Sequence, residues 1–271
     1  MDKIDKAGKN YWDSCWSKIS IPVPINPREK RLSNYVNRRL HQYLSKVFFN
    51  IKGNDIKLLE IGCARSAWLP YFAREFGFSV TGIDYSEIGC QQAKMILDNS
   101  NIDGNVVCSD FFTPPDLLLN SFNVVISFGV VEHFEDTETC ISALSDFLLP
   151  GGVMITVIPN MAGMMGILQR IFDRETYEIH IPLDKKDIFN GHEKAGLNVI
   201  QCEYFIPINF GVLNVNSCNK QSFVTLIKQF VLRVLGRLSL LIGLIDEKIV
   251  NLPSTFLFSS HIICVAQKKI M

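Results

Sequence analysis

Two acids and a glycine frame the chemistry of this chain. Glu60 and Gly62 close the short apolar run that starts at Lys57, and Asp84 closes a second run, Phe78 to Ile83. Short apolar runs bounded by turn signals are expected to be buried parallel strands. Gly62 lets the backbone turn tightly, with no Cβ in the way. Between the runs, Trp68, Leu69, Phe72, Ala73 and Phe76 recur at helical spacing, which predicts a helix over Ser66 to Phe76. A strand–helix–strand unit with an acid after its second strand can grip a ribose diol through two hydrogen bonds. Farther on, His133 and His180 are candidates to take a proton near neutral pH.

Two ligand classes use that geometry. Dinucleotides need a pyrophosphate cradle rich in glycine. Counted from Gly62, this chain places Ala64 and Ala67 where the cradle needs glycine, so the cradle is poor. The other class, S-adenosylmethionine, carries no phosphate and needs only a close backbone turn. The residues resemble the class I S-adenosylmethionine-dependent methyltransferases, and within them the type 11, type 23 and quinone-biosynthesis enzymes. Their first motif reads acid-x-Gly-x-Gly-x-Gly. Glu60 and Gly62 match it, while Ala64 and Ser66 stand in for the later glycines.

The resemblance runs on in order. It implies that Glu60, Gly62, Cys63, Ala64, Asp84 and Tyr85 hold S-adenosyl-L-methionine. Asp110 would meet the adenine amine, with Phe111 on the ring. Phe128 and Gly129 open a loop, ending at Phe134, that would lie beside the methionine moiety. Pro150-Gly151-Gly152 is expected to end one helix and start a fifth strand. The likeness covers about residues 56–208 plus a last strand. It implies an α/β, doubly wound, Rossmann-like sheet of seven strands whose last strand is antiparallel.

Length and composition fit that fold. The chain has 271 residues, of which 48% are hydrophobic, enough for one sizeable core. Its net charge of zero is unevenly spread: +6 over residues 1–50, −11 over 51–219 and +5 over 220–271. Basic ends serve anionic ligands or membrane surfaces, or are simply solvated. The eight cysteines include no Cys-x-x-Cys pair, so no metal is expected. Free cysteines that serve as small core residues suit a reducing cytoplasm. The charged start, Met1 to Lys6, is not read as a signal peptide.

Outside the expected domain of residues 51–271, residues 1–50 read as a lid or a staple. Tyr11, Trp12 and Trp16 cluster there, a Pro-rich connector follows, and Arg28 to Phe49 is amphipathic. Tyr11, Tyr177 and Glu178 are candidates to orient an acceptor. Residues 209–255 look like an insert before the last strand. Within it Ser222 to Ile245 carries a broad apolar face beside Arg233 and Arg237, and those arginines make spanning a membrane costly. Residues 221–245 are therefore expected to meet a membrane surface or a second subunit. The reading is methyl transfer to a small-molecule or glycan-intermediate acceptor, at oxygen, with His133 or His180 as base. No motif of the kinds that modify nucleic-acid bases appears, so no nucleic-acid partner is expected. Two rivals stay open: a lipid-linked, quinone-like acceptor, and a cofactor-binding domain without transferase activity.

Overall fold

The computed structural model describes residues 5–51, 53–215 and 223–270. Cys218 and the expected helix start at Ser222 lie outside them. Seven strands form one sheet: β1 (Lys57–Ile61), β2 (Ser79–Asp84), β3 (Gly104–Cys108), β4 (Phe122–Phe128), β5 (Leu148–Pro159), β6 (Leu197–Phe205) and β7 (His261–Lys268). Their order is β3-β2-β1-β4-β5-β7-β6. The first five are parallel, and β7 runs antiparallel between β5 and β6. The expected doubly wound α/β fold is thus present. Strand order reverses between β1 and β4, the switch point where open α/β sheets bind ligands.

Helices cover both faces because the central strands are apolar on both. Leu59 and Ile61 of β1 join one cluster, and Leu58 joins the other. The first cluster takes Cys140, Ile141 and Leu144 of α5 (Thr137–Ser145), reached after α1 (Lys9–Trp16), α2 (Tyr35–Phe49), α3 (Leu69–Phe76) and α4 (Glu87–Asn99). The second takes Leu40, Leu44 and Phe48 of α2 with Leu69 and Phe72 of α3. So α2 is built into the domain core.

Element ends differ from the sequence reading for local reasons. The helix expected from Arg28 begins at Tyr35 because Asn34 donates to the carbonyls of Asn26 and Glu29, tying that stretch into a turn. The sixth strand stops at Phe205, where Ile206 takes a positive φ of 61°. The last strand starts at His261, since the Asn160 amide holds the carbonyls of Phe256 and Ser259 in a turn just before it. Pro150-Gly151-Gly152 lies inside β5: the strand begins at Leu148 and its register against β4 slips between Phe122 and Val124.

Past β5 come α6 (Met164–Phe172), α7 (Arg174–Glu178), α8 (Lys185–Lys194) and α9 (Phe223–Lys248). Asp184 caps α8 in a reciprocal capping box with Asp187. The long α9 divides its residues between two partners. Ser239, Gly243 and Asp246 are buried, with Gly243 set against the Tyr35 ring. Tyr35 donates to Asp246 at 2.5 Å, and Arg38 grips Glu247 through two bonds of 2.7 and 2.8 Å. Leu232, Leu235 and Ile242 pack beside α6. Gly243 thus faces the protein, away from the exposed Arg233 and Arg237. Phe223, Ile227, Phe230, Val234, Leu238 and Leu241 stay exposed. No helix among the described residues is long and apolar enough to cross a membrane.

Candidate active site

A cavity of about 330 Å³ opens at the carboxyl ends of β1 and β4, within the roughly 300–1,000 Å³ typical of small-molecule sites. Its first wall is the turn after β1. The N–H groups of Gly62 and Cys63 both donate to the Ile83 carbonyl. Gly62 has φ 74°, and a Cβ there would stand 2.5 Å from a Val130 methyl.

Ser66 then organises the turn. Its hydroxyl donates to the Glu60 carboxylate at 2.6 Å and accepts the N–H groups of Trp68 and Leu69. Those bonds delay the helix start to Leu69, past the expected Ser66. Burial pushes the Glu60 carboxyl up to about 8, against the opposing pull of the Ser66 bond.

The alanine in the motif has a matching gap. A Cβ on Gly89, in the first turn of α4, would lie 2.4 Å from the Ala64 Cβ. Gly82 of β2 likewise leaves space for Cys63, whose Sγ would be 2.5 Å from a Cβ there. Glycines missing from the turn are thus offset by glycines in the elements it touches. Cys63 is fully buried and its thiol points away from the cavity.

Asp84 lines the cavity opposite. Its carboxylate accepts the N–H groups of Ala64 at 3.0 Å and Ser86 at 2.7 Å. Burial holds it up, at about 6. Tyr85, Phe111, Phe128 and Gly129 also line the space. Asp110 is not part of the lining; its carboxylate accepts the Phe112 N–H.

The N-terminal segment forms part of the cavity wall. Asp5 bridges to Phe134, and the Lys6 N–H donates to the His133 carbonyl. Tyr85 donates to Asp5, and Ser86 to Asp13. Trp12 and Trp16 stack on each other and line the cavity. Tyr11 sits edge-on to Trp12. Glu178 is engaged with Arg174 in a surface ion pair.

His133 lines the cavity, with Trp12 edge-on to its ring. The His180 ring lies 4.6 Å from that of His133. His133 Nδ1 bonds the Ile179 carbonyl and His180 Nδ1 bonds that of Thr176. A carbonyl only accepts, so both Nδ1 atoms carry the proton and both Nε2 atoms present a lone pair. Burial lowers both, His133 to about 4.

Besides Asp5, the lining residues Trp68 and Arg65 escaped the sequence reading. Trp68 stacks on Phe128 with ring centroids 5.1 Å apart; its helical spacing had marked it only as core. Arg65 is the one lysine or arginine in the lining, its guanidinium 5.3 Å above the Trp16 ring and bonded to the Ser20 carbonyl. Its Nε has no partner among the described residues. Its signal was an arginine between two motif positions, easily read as a spacer.

The sequence profile of a family described as a methyltransferase domain matches residues 30–201. The chain belongs to that family, the class I S-adenosylmethionine-dependent methyltransferases. S-adenosyl-L-methionine is the cofactor of the family. Among curated relatives, the ubiquinone biosynthesis O-methyltransferase of Pelagibacter ubique (strain HTCC1062) is 25% identical over 169 residues, covering 59% of this chain and 64% of its own. The chain thus spans just under two thirds of that relative's length. Two solved structures share the fold. The S-adenosylmethionine-dependent methyltransferase of Archaeoglobus fulgidus has a TM-score of 0.54 at 18% identity, covering 87% of this chain and 94% of its own. The geranyl diphosphate C-methyltransferase of Streptomyces coelicolor A3(2) has a TM-score of 0.57 at 11% identity, covering 96% of each.

The Ala64–Gly89 fit predicts a paired effect. Gly89→Ala should cost about 1–3 kcal/mol through overpacking. Adding Ala64→Gly should recover most of it. Denaturant unfolding of the single and double variants checks this; equal stabilities for the two would refute the fit.

Proposed function

We propose that this methyltransferase moves the methyl group of S-adenosyl-L-methionine to a hydroxyl of a small-molecule or glycan-intermediate acceptor. The observation that carries the reading is the charge pattern of the cavity. Asp84 stands where a ribose diol can donate two bonds, and Glu60 offers a carboxylate for an ammonium. Arg65 supplies a cation for a carboxylate. Those are the charges of the cofactor's ribose and methionine ends, so the residues fit the group. When bound, the cofactor supplies a methyl on a sulfonium, ready for in-line displacement. Aromatic walls from Trp12, Trp68 and Phe128 exclude water and hold the acceptor in line, which supplies much of the acceleration.

The oxygen preference rests on the two histidines. Each presents an Nε2 lone pair, and His133 presents it at the cavity. A hydroxyl must lose its proton as the methyl arrives, and His133 is placed to take it. Lid closure by residues 5–20 completes the site in this reading.

The exposed face of α9 favours an addition to this reading. Phe223, Ile227, Phe230, Val234, Leu238 and Leu241 leave a contiguous apolar strip, with Arg233 and Arg237 exposed beside it. An apolar strip flanked by cations suits a helix lying on an anionic membrane surface. A lipid-linked acceptor would then be met there.

Three measurements test these assignments. Asp84→Ala should weaken S-adenosylmethionine binding by roughly 2–4 kcal/mol in calorimetry, the worth of a charge-assisted bond pair. Because the free carboxyl sits near 6 and the bound form needs it ionised, affinity should rise with pH through about 6 and flatten above. Asp84→Asn should lose that rise, and unchanged affinity in either variant would refute the ribose assignment.

His133→Ala should lower turnover by about 10²–10⁴ while cofactor binding persists. Full turnover in that variant and in His180→Ala would remove the case for oxygen.

Flotation with anionic liposomes tests the α9 surface. Salt-sensitive co-flotation, abolished when Arg233 and Arg237 become Glu, is expected. No association at low salt would leave that face to a second subunit.

A further inference from the structure

One buried carboxylate has no partner in the mechanism above. Glu132 is 1% exposed, and neither of its oxygens has a hydrogen-bond partner among the described residues. Buried polar groups are satisfied in the great majority of cases, so an orphan carboxyl calls for a cause. Burial pushes it up to about 8, against the opposing pull of its own backbone N–H. Protonation does not resolve the orphan state, since a neutral carboxyl would still need an acceptor for its O–H.

The neighbours of Glu132 are the two histidines. One ligand atom from each of Glu132, His133 and His180 lies within 4.8 Å of the others. Glu132 and His133 sit on a single 3-10 turn, Val131–His133, just after β4. His180 follows α7, and the Ile181 N–H donates to the Glu132 carbonyl at 2.7 Å, which ties the two segments together. Both rings have their proton fixed on Nδ1 by a backbone carbonyl, at 2.8 Å for His133 and 2.7 Å for His180. A histidine that ligates a metal almost always donates its other nitrogen in this way, which fixes the tautomer and raises the basicity of the ligating atom. With Nδ1 of each ring held by a carbonyl, the Nε2 lone pairs are the ring atoms left to join the unpartnered carboxylate as a donor set.

We propose that Glu132, His133 and His180 bind one divalent transition-metal ion of the zinc or manganese kind at the wall of the cavity. Two imidazoles and one carboxylate suit such ions better than magnesium or calcium, which favour all-oxygen sites. Ligand bonds of about 2.0–2.2 Å bring the donors closer than they stand here, by small rotations of the three side chains. Three protein ligands leave at least one position open on the ion. His133 lines the cavity, so that position faces the acceptor. Asp5 and Lys6, of opposite sign, are the charged groups that act on the histidines from the N-terminal segment.

This inference rests on the methyl-transfer reading and gives the ion, with His133 as its ligand, the activating role assigned above to His133 as a free base. The acceptor oxygen binds the open position, and the ion lowers the pKa of its hydroxyl. The proton leaves to water. An oxygen lone pair then forms the bond to the methyl carbon as the carbon–sulfur bond breaks and its electron pair returns to sulfur. The products are the methyl ether, S-adenosylhomocysteine and one proton. No oxidant or reductant enters.

The test uses the full chain, stripped with a chelator and titrated with Co²⁺ as a visible probe and with Zn²⁺ and Mn²⁺ by calorimetry. One equivalent should bind, with visible cobalt bands typical of nitrogen and oxygen ligands. Glu132→Gln, nearly isosteric, should weaken binding by more than the 10–100-fold that loss of a supporting partner costs. It should still bind S-adenosylmethionine, which shows that the fold is kept. His180→Ala should weaken the ion similarly. Turnover should fall on chelation and return with added ion. Absence of a bound ion in the wild type, or full turnover after chelation, would overturn the metal site. If His133→Ala still abolishes turnover in that case, the histidine acts as a free base and the oxygen-transfer reading survives. Ion affinity left unchanged by Glu132→Gln would overturn the assigned ligands.

Discussion

The Ser66 hydroxyl is the bond on which this site hangs. It donates to Glu60 at the end of β1 and caps the first amides of α3. A buried carboxylate without that donor would carry a large desolvation cost. With it, strand, turn and helix are fixed to one another within a few ångströms. The turn then presents Ala64 to Asp84 and Arg65 to the cavity. A glycine at position 66 would leave Glu60 unpaired and α3 uncapped. The departure from the glycine pattern is therefore a different solution to the same turn, and Gly82 and Gly89 complete it from outside.

Much of this was legible in the residues. Periodicity fixed the strands, since β1 to β5 are short apolar runs separated by amphipathic helices. The acids Glu60 and Asp84 fell where the parallel sheet brings them together, because strand ends at a switch point converge whatever the loops do. Element ends were less legible. Asn34 and Asn160 set theirs through side-chain bonds to distant carbonyls, which no local window contains. Trp68 and Arg65 were hidden for another reason: a residue type does not say which way its side chain points out of a turn. The relation of Glu132 to His180 was invisible too, for it depends on α7 folding back against the loop after β4.

The family sets the cofactor, and in the proposed reading this chain's additions set the acceptor side. The N-terminal aromatics, the loop that carries His180 and the α9 surface all lie outside the β1-to-β4 unit to which cofactor binding is assigned in that reading. The structural relatives carry acceptors of different kinds on the same sheet, as the carbon-directed enzyme of Streptomyces coelicolor shows. Specificity in such folds lives in what is grafted on them. Here the grafts meet at one place, since Trp12 touches His133 and His133 touches His180.

The strap over the cavity has a kinetic consequence. The bonds that hold it include Lys6 to His133, Lys9 to Glu87, Tyr85 to Asp5, Ser86 to Asp13, Gln92 to Trp16 and Arg65 to Ser20. In the proposed reading these bonds must break together before a ligand can pass, so entry and release share one gate, the unfastening of residues 5–20.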